Sequence, residues 1–201
     1  MRRFILLSAV CGFSIALPFS LTGCDATEAA NFSLASECYN RHPNDMWARQ
    51  QCVDRGIYQR EATACQHDVN GLRATYGGNR IENLHLQADR QIQIAWQWVE
   101  PYSDNFNQCL ASNTYSVCYN NLTAPSLNHI AAAREQALRV AAEENGYAQR
   151  WNSILNRCSQ YMNQQIPYKD HYNNADLIAE LDSWTLFVNN STNYWRQVHQ
   201  K

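Results

Sequence analysis

Apolar residues in this chain recur mostly at intervals of three and four, between breaks at Pro43, Gly77-Gly78, Pro101, Pro125, Asn145-Gly146 and Pro167. That spacing lays one apolar stripe along a helix, whereas a strand would alternate with a period of two. Each interval therefore predicts a helix. Ser33 can cap a short helix ending near Arg41, and Asp45 a long one ending near Tyr76, with Met46, Val53, Ile57, Ala64, Leu72 and Tyr76 near one stripe. Ile81, Leu84, Ala88, Ile92, Ala95, Trp96 and Val99 form the next stripe, which Pro101 ends because it has no N–H to donate. Ser103 begins a shorter helix to about Asn121, and Ser126 an alanine-rich one to about Glu144. Tyr147, Trp151, Ile154, Leu155, Cys158, Tyr161 and Met162 give a further face. Leu177, Leu181, Trp184 and Val188 give the last strong one, with Tyr194, Trp195 and Val198 in a terminal turn or helix. The pattern predicts an all-α fold, an irregular disulfide-stapled bundle of five to seven helices.

The start of the chain has a different character. Arg2 and Arg3 precede a nearly uncharged apolar run over residues 4–19, too short for a spanning helix of about 20 apolar residues and suited to an export leader. Leu21-Thr22-Gly23-Cys24 follows, and resembles the lipobox of bacterial lipoproteins. The resemblance covers residues 1–24. It implies cleavage of residues 1–23, acylation of Cys24, and attachment to a membrane through the N-terminal lipid, since multiple acyl chains hold a protein durably where one is marginal. Asp25 resembles the signal that retains enteric lipoproteins in the inner membrane, with the outer membrane as the alternative. Residues 24–32 show no apolar periodicity and read as a short tether, leaving residues 33–201 as a single periplasm-facing helical domain.

Without Arg2 and Arg3 the 16 basic residues become 14, against 18 acidic ones, a formal charge of −4. The sequence contains no basic stripe, which makes nucleic acid and anionic lipid head groups poor partners. Six cysteines follow Cys24: Cys38, Cys52, Cys65, Cys109, Cys118 and Cys158. An even set in an exported chain predicts disulfides. Cys38 and Cys52 have their midpoint at Asp45, so a hairpin about the Pro43-Asn44 break brings them together. The other four have no cysteine mate across their nearest turns and are expected to join helices that are not hairpin neighbours. Cys109 and Cys118 would lie about 13 Å apart on a straight helix, and can bridge only if Ser112-Asn113 is a turn.

Candidate chemistry is sparse. No C-x-x-C or H-x-x-x-H pair suggests a metal, no G-x-S-x-G elbow a nucleophile, and no glycine-rich loop a phosphate cofactor. The reading assigns no catalytic residue, metal or cofactor. Glu143-Glu144 reads as a solvated helix end. Trp98 lies off its helix's apolar stripe, and Tyr168-Lys169-Asp170-His171-Tyr172 follows Pro167 as a loop of mixed polar and aromatic groups. Trp98, Tyr168, Lys169, His171 and Tyr172 are thus the candidate contact face, aromatic residues being enriched where proteins meet.

The expected function is a non-enzymatic interaction module with an envelope protein as partner: an accessory or scaffold subunit, or a protection or exclusion factor. Two alternatives stay open. Glu37-Cys38 with Cys52 and Asp54 resembles the start of the LprI-type lysozyme inhibitor domain over residues 37–58, which implies inhibition of an external enzyme. That likeness comes with a longer intervening segment and four cysteines that have no counterpart. A cell-wall enzyme would need carboxylates or a histidine to converge from separate helices.

Overall fold

The computed structural model describes residues 26–77, 79–162 and 166–200. Cys24 and Asp25, with the expected leader, lie outside these residues. The described chain is all-α. It runs through α1 (Ala26–Arg41), α2 (Met46–Tyr76), α3 (Asn79–Val99), α4 (Tyr102–Leu110), α5 (Tyr115–Cys118), a π-helical turn (Tyr119–Thr123), α6 (Ala124–Cys158), a 3-10 turn (Ser159–Tyr161) and α7 (Ala175–His199).

Several boundaries differ from those the pattern predicts. Helix α1 begins at Ala26 and so takes in most of the expected tether, because Ala26, Ala29 and Ala30 are strong helix formers that need no apolar face to be helical. Helix α6 runs for 35 residues straight through Asn145-Gly146. A glycine inside a helix costs about 1 kcal/mol relative to alanine, and the burial of Ala148, Trp151 and Leu155 just beyond it outweighs that cost. Helix α7 likewise continues unbroken to His199. The helix expected from Ser103 breaks instead at a turn after Leu110, where Ser112 N–H reaches the Cys109 carbonyl at 3.1 Å and the Asn113 side-chain amide donates to the same oxygen at 3.1 Å.

The chain divides into two compact units within α2, Met1–Ile57 and Tyr58–Lys201, where the stripe pattern predicts one domain. The described part of the first is a helical hairpin closed on itself. Asp45 caps α2 by accepting the Ala48 N–H at 2.9 Å, and Cys38 is bonded to Cys52 with their Cα atoms 5.7 Å apart. Met46, placed on the apolar stripe by spacing, is 80% exposed because it occupies the first turn beside the hairpin bend.

The second unit has two cores, both built on α6. In the first, Ile130, Ala133 and Ala137 of α6 pack with Ala95 and Val99 of α3, Tyr102 and Phe106 of α4, and Leu181, Trp184 and Val188 of α7. Alanines on the facing surfaces of α3 and α6 let the two helices approach closely. In the second, Trp151 and Leu155 pack against Val69, Leu72 and Tyr76 of α2. The buried face of α2 is Cys65, Val69, Leu72 and Tyr76, while Ala64 is exposed. Cys65–Cys158 ties α2 to the end of α6, and Cys109–Cys118 spans the turn between α4 and α5. The expectation that all four of these cysteines join distant helices thus fails for the second pair, because the turn at Ser112-Asn113 brings their Cα atoms to 5.8 Å.

A hydroxyl relay crosses the first core. Thr192 Oγ1 donates to the Val188 carbonyl at 2.7 Å, so it can only accept from Tyr102 at 2.5 Å; Tyr102 in turn accepts from Thr123 at 2.6 Å. The proton order Thr123 to Tyr102 to Thr192 to Val188 leaves no buried donor idle. Desolvation raises the Tyr102 phenol above its usual 10.0, opposed by its bonds to Thr123 and Thr192.

Candidate functional site

The segment between the 3-10 turn and α7 is not a free loop. Residues 166–174 lie as an extended strap along α6, running antiparallel to it and fastened by asparagines. The Asn152 amide accepts the Lys169 N–H at 2.8 Å and donates to the Lys169 carbonyl at 2.8 Å. Asn145 repeats the arrangement with Tyr172, accepting its N–H at 2.8 Å and donating to its carbonyl at 3.2 Å. The registers match. Seven helical residues rise about 10.5 Å at 1.5 Å each, and three extended residues cover about 10 Å at 3.3 Å each. Tyr168 Oη donates to Asn156 at 2.6 Å, Trp151 Nε1 donates to the Pro167 carbonyl at 3.1 Å, and Asn174 donates to the Ala137 carbonyl at 2.9 Å. The backbone is thereby spent on α6, while Tyr168, Lys169, Asp170 and His171 are exposed.

Beside the strap stands a column of three rings. Tyr76 stacks on Tyr147 at 5.3 Å between centroids, and Tyr147 meets Trp151 at 6.1 Å. Cations surround the column: Arg80 and Arg150 over Tyr76 at 5.6 and 5.5 Å, Lys169 over Tyr147 at 5.0 Å, and Arg73 over Trp151 at 5.8 Å. Positive charge over a ring face is favourable by about 0.5–1 kcal/mol where exposed. These residues come from α2, α3, α6 and the strap, so their convergence has no trace in sequence order. The sequence reading, which found no basic stripe, missed them.

Of the predicted contact face, the structure brings Tyr168, Lys169, His171 and Tyr172 together and leaves Trp98 apart. Trp98 is half-buried and stacked on His129 of α6 at 5.2 Å. Trp96, assigned to the buried stripe, is the more open of the two at 44% exposure, its ring against Trp184 at 5.3 Å. Ala95 and Val99 take the buried positions on that turn because the close contact with α6 has room only for small side chains there. Tyr172 is half-buried with its ring edge-on to His85 at 5.6 Å.

Glu143 and Glu144 are mid-helix rather than at a helix end. Each has a basic partner on α3, Arg80 at 2.9 Å and His85 at 3.1 Å. Among the described residues no group of three or more His, Cys, Asp or Glu could hold a metal ion, and no helix is long and apolar enough to cross a membrane. The site offers shape, aromatic surface and positive charge. No protein-family model matches the chain, and no curated protein or solved structure is detectably similar to it.

Proposed function

We propose that this chain is a lipid-anchored bacterial envelope protein that works as a non-enzymatic interaction module. The observation that carries the reading is the fastened strap. Its main chain is fixed at Lys169 and Tyr172 by paired hydrogen bonds, so the exposed surfaces of Tyr168, Lys169, Asp170 and His171 are held on a backbone already ordered, with Tyr168, Lys169 and His171 also contacting α6 side chains. Binding through such a surface avoids the entropy of ordering a loop, about 0.5–1.5 kcal/mol per rotamer-rich side chain and more for backbone. Cys65–Cys158, Cys109–Cys118 and the two packed cores of the same unit give this surface a stable support.

The anchor in this reading is an acylated Cys24 at the end of the Leu21-Thr22-Gly23-Cys24 lipobox, with Asp25 favouring the inner membrane. The partner is an envelope protein, for which the chain is an accessory or scaffold subunit, or a protection or exclusion factor. Membrane fractionation of wild type and Cys24→Ser tests the address: wild type sediments with membranes and the variant is released. A variant that sediments like wild type would overturn it.

A further inference from the structure

We propose that the groove between α2 and α6 binds an oxyanion of the phosphate class, carried free or on a lipid headgroup. The groove is open to solvent, with about 590 Å³ of space, and Leu72 and Ile154 line it beside Asp68, Arg150, Ser153 and Arg157. Two small residues open it. A Cβ added at Gly71 would meet nothing within 4 Å, and Ser153 is the small residue on the α6 side. At 100° per residue, positions 150, 153 and 157 centre roughly 110° around α6 from positions 145, 152 and 156, so this flank lies beside the one that holds the strap.

The donors in the groove outnumber its acceptors. Arg157 pairs with Asp68 through Nη2 alone, leaving the rest of its guanidinium fork available. Asp68 also has His67 at 3.9 Å. Arg150 has no carboxylate partner among the described residues, and its contact is the Tyr76 ring at 5.5 Å. The side chains of Gln149 and Ser153 have no hydrogen-bond partner among the described residues. Two guanidinium groups against one carboxylate leave a surplus of positive charge over the groove. Arg150 and Arg157 are two turns apart, and their long side chains can converge on one anion above Ser153. A phosphate group, with several acceptor oxygens in a tetrahedron, suits such a set of forked donors.

The test uses the full chain carrying Cys24→Ser, so that acylation cannot tether it to vesicles. Backbone amide shifts of Gly71, Gln149 and Ser153 are followed at constant ionic strength. The titrants are inorganic phosphate and, separately, phosphatidylcholine vesicles with and without phosphatidylglycerol. The proposal expects saturable shifts with at least one of them, about tenfold weaker in Arg150→Gln, the loss of one charge-assisted contact. Gly71→Leu, which places a bulky apolar side chain in the groove, should weaken binding, and Arg139→Gln, elsewhere on α6, should leave it unchanged. Saturation by inorganic phosphate identifies a free solute, and saturation only by phosphatidylglycerol identifies a headgroup. Absence of saturable shifts with both, or equal binding by wild type and Arg150→Gln, overturns the proposal.

Discussion

Asn145 meets the backbone of Tyr172 as a neighbouring strand would, its amide oxygen taking the N–H at 2.8 Å and its amide nitrogen giving a hydrogen bond to the carbonyl at 3.2 Å. The same oxygen lies 3.2 Å from His171 Nδ1. A residue whose position beside Gly146 suggests a turn is thus helical, and its polarity serves the segment packed on the helix.

Replacing Asn145 and Asn152 by alanine removes four hydrogen bonds to strap backbone. At about 0.5–1.5 kcal/mol each, local opening of the strap should become easier by roughly 2–6 kcal/mol, with a smaller effect on global unfolding. Hydrogen exchange checks this. The Lys169 and Tyr172 amides should exchange at least tenfold faster in the double variant while amides of the first core keep their protection.

The relay through Tyr102 predicts a pH effect of defined sign. The folded-state phenol titrates above 10.0, chiefly through desolvation. As pH rises through that value the unfolded chain loses its proton first, so stability is full below pH 10.0 and declines as pH climbs toward the folded value. Tyr102→Phe should lower stability near neutral pH by about 1–2 kcal/mol and flatten this alkaline decline. Denaturant titrations of both proteins between pH 8 and pH 11 read the difference.

The disulfides should contribute unequally. Cys65–Cys158 closes 93 residues and Cys109–Cys118 closes 9. Loop-closure entropy assigns them about 4.6 and about 2.6 kcal/mol. Paired serine substitutions at Cys65 and Cys158 should therefore cost roughly 2 kcal/mol more than those at Cys109 and Cys118, measured by urea unfolding.

Two glycines in α2 should respond differently to alanine. At Gly71 the added methyl enters open space, so helix propensity alone should raise stability by about 0.5–1 kcal/mol. At Gly56 the methyl would sit 2.5 Å from Leu34 Cδ1, and Leu34 must move before any gain is realised. Thermal melts should show a higher midpoint for Gly71→Ala and a smaller gain or a loss for Gly56→Ala.

Helical periodicity made the all-α fold legible, and hairpin symmetry about Asp45 pointed to the Cys38–Cys52 bridge because both are local properties of the chain. Tertiary context was not legible. Asn145-Gly146 carries a turn signature that burial of Trp151 and Leu155 overrides, and Trp96 carries a core signature that the tight alanine contact of α3 with α6 displaces. The strap residues from Tyr168 to Tyr172 could be singled out by composition, but not their fastening, since it depends on asparagines over a dozen positions earlier. Least visible was the gathering of Arg73, Arg80, Arg150 and Lys169 around Tyr76, Tyr147 and Trp151, which exists only once three helices and the strap have packed.

Photo-cross-linking in intact cells tests the central claim most directly. A photoreactive residue at His171 on the strap is compared with one at Arg139 on α6, in wild-type background and with Asn145→Ala and Asn152→Ala. An interaction module presented by the strap predicts a discrete adduct with one envelope protein from position 171, absent from position 139 and weakened when the strap is unfastened. No adduct from position 171, or the same adducts from both positions, would contradict the account.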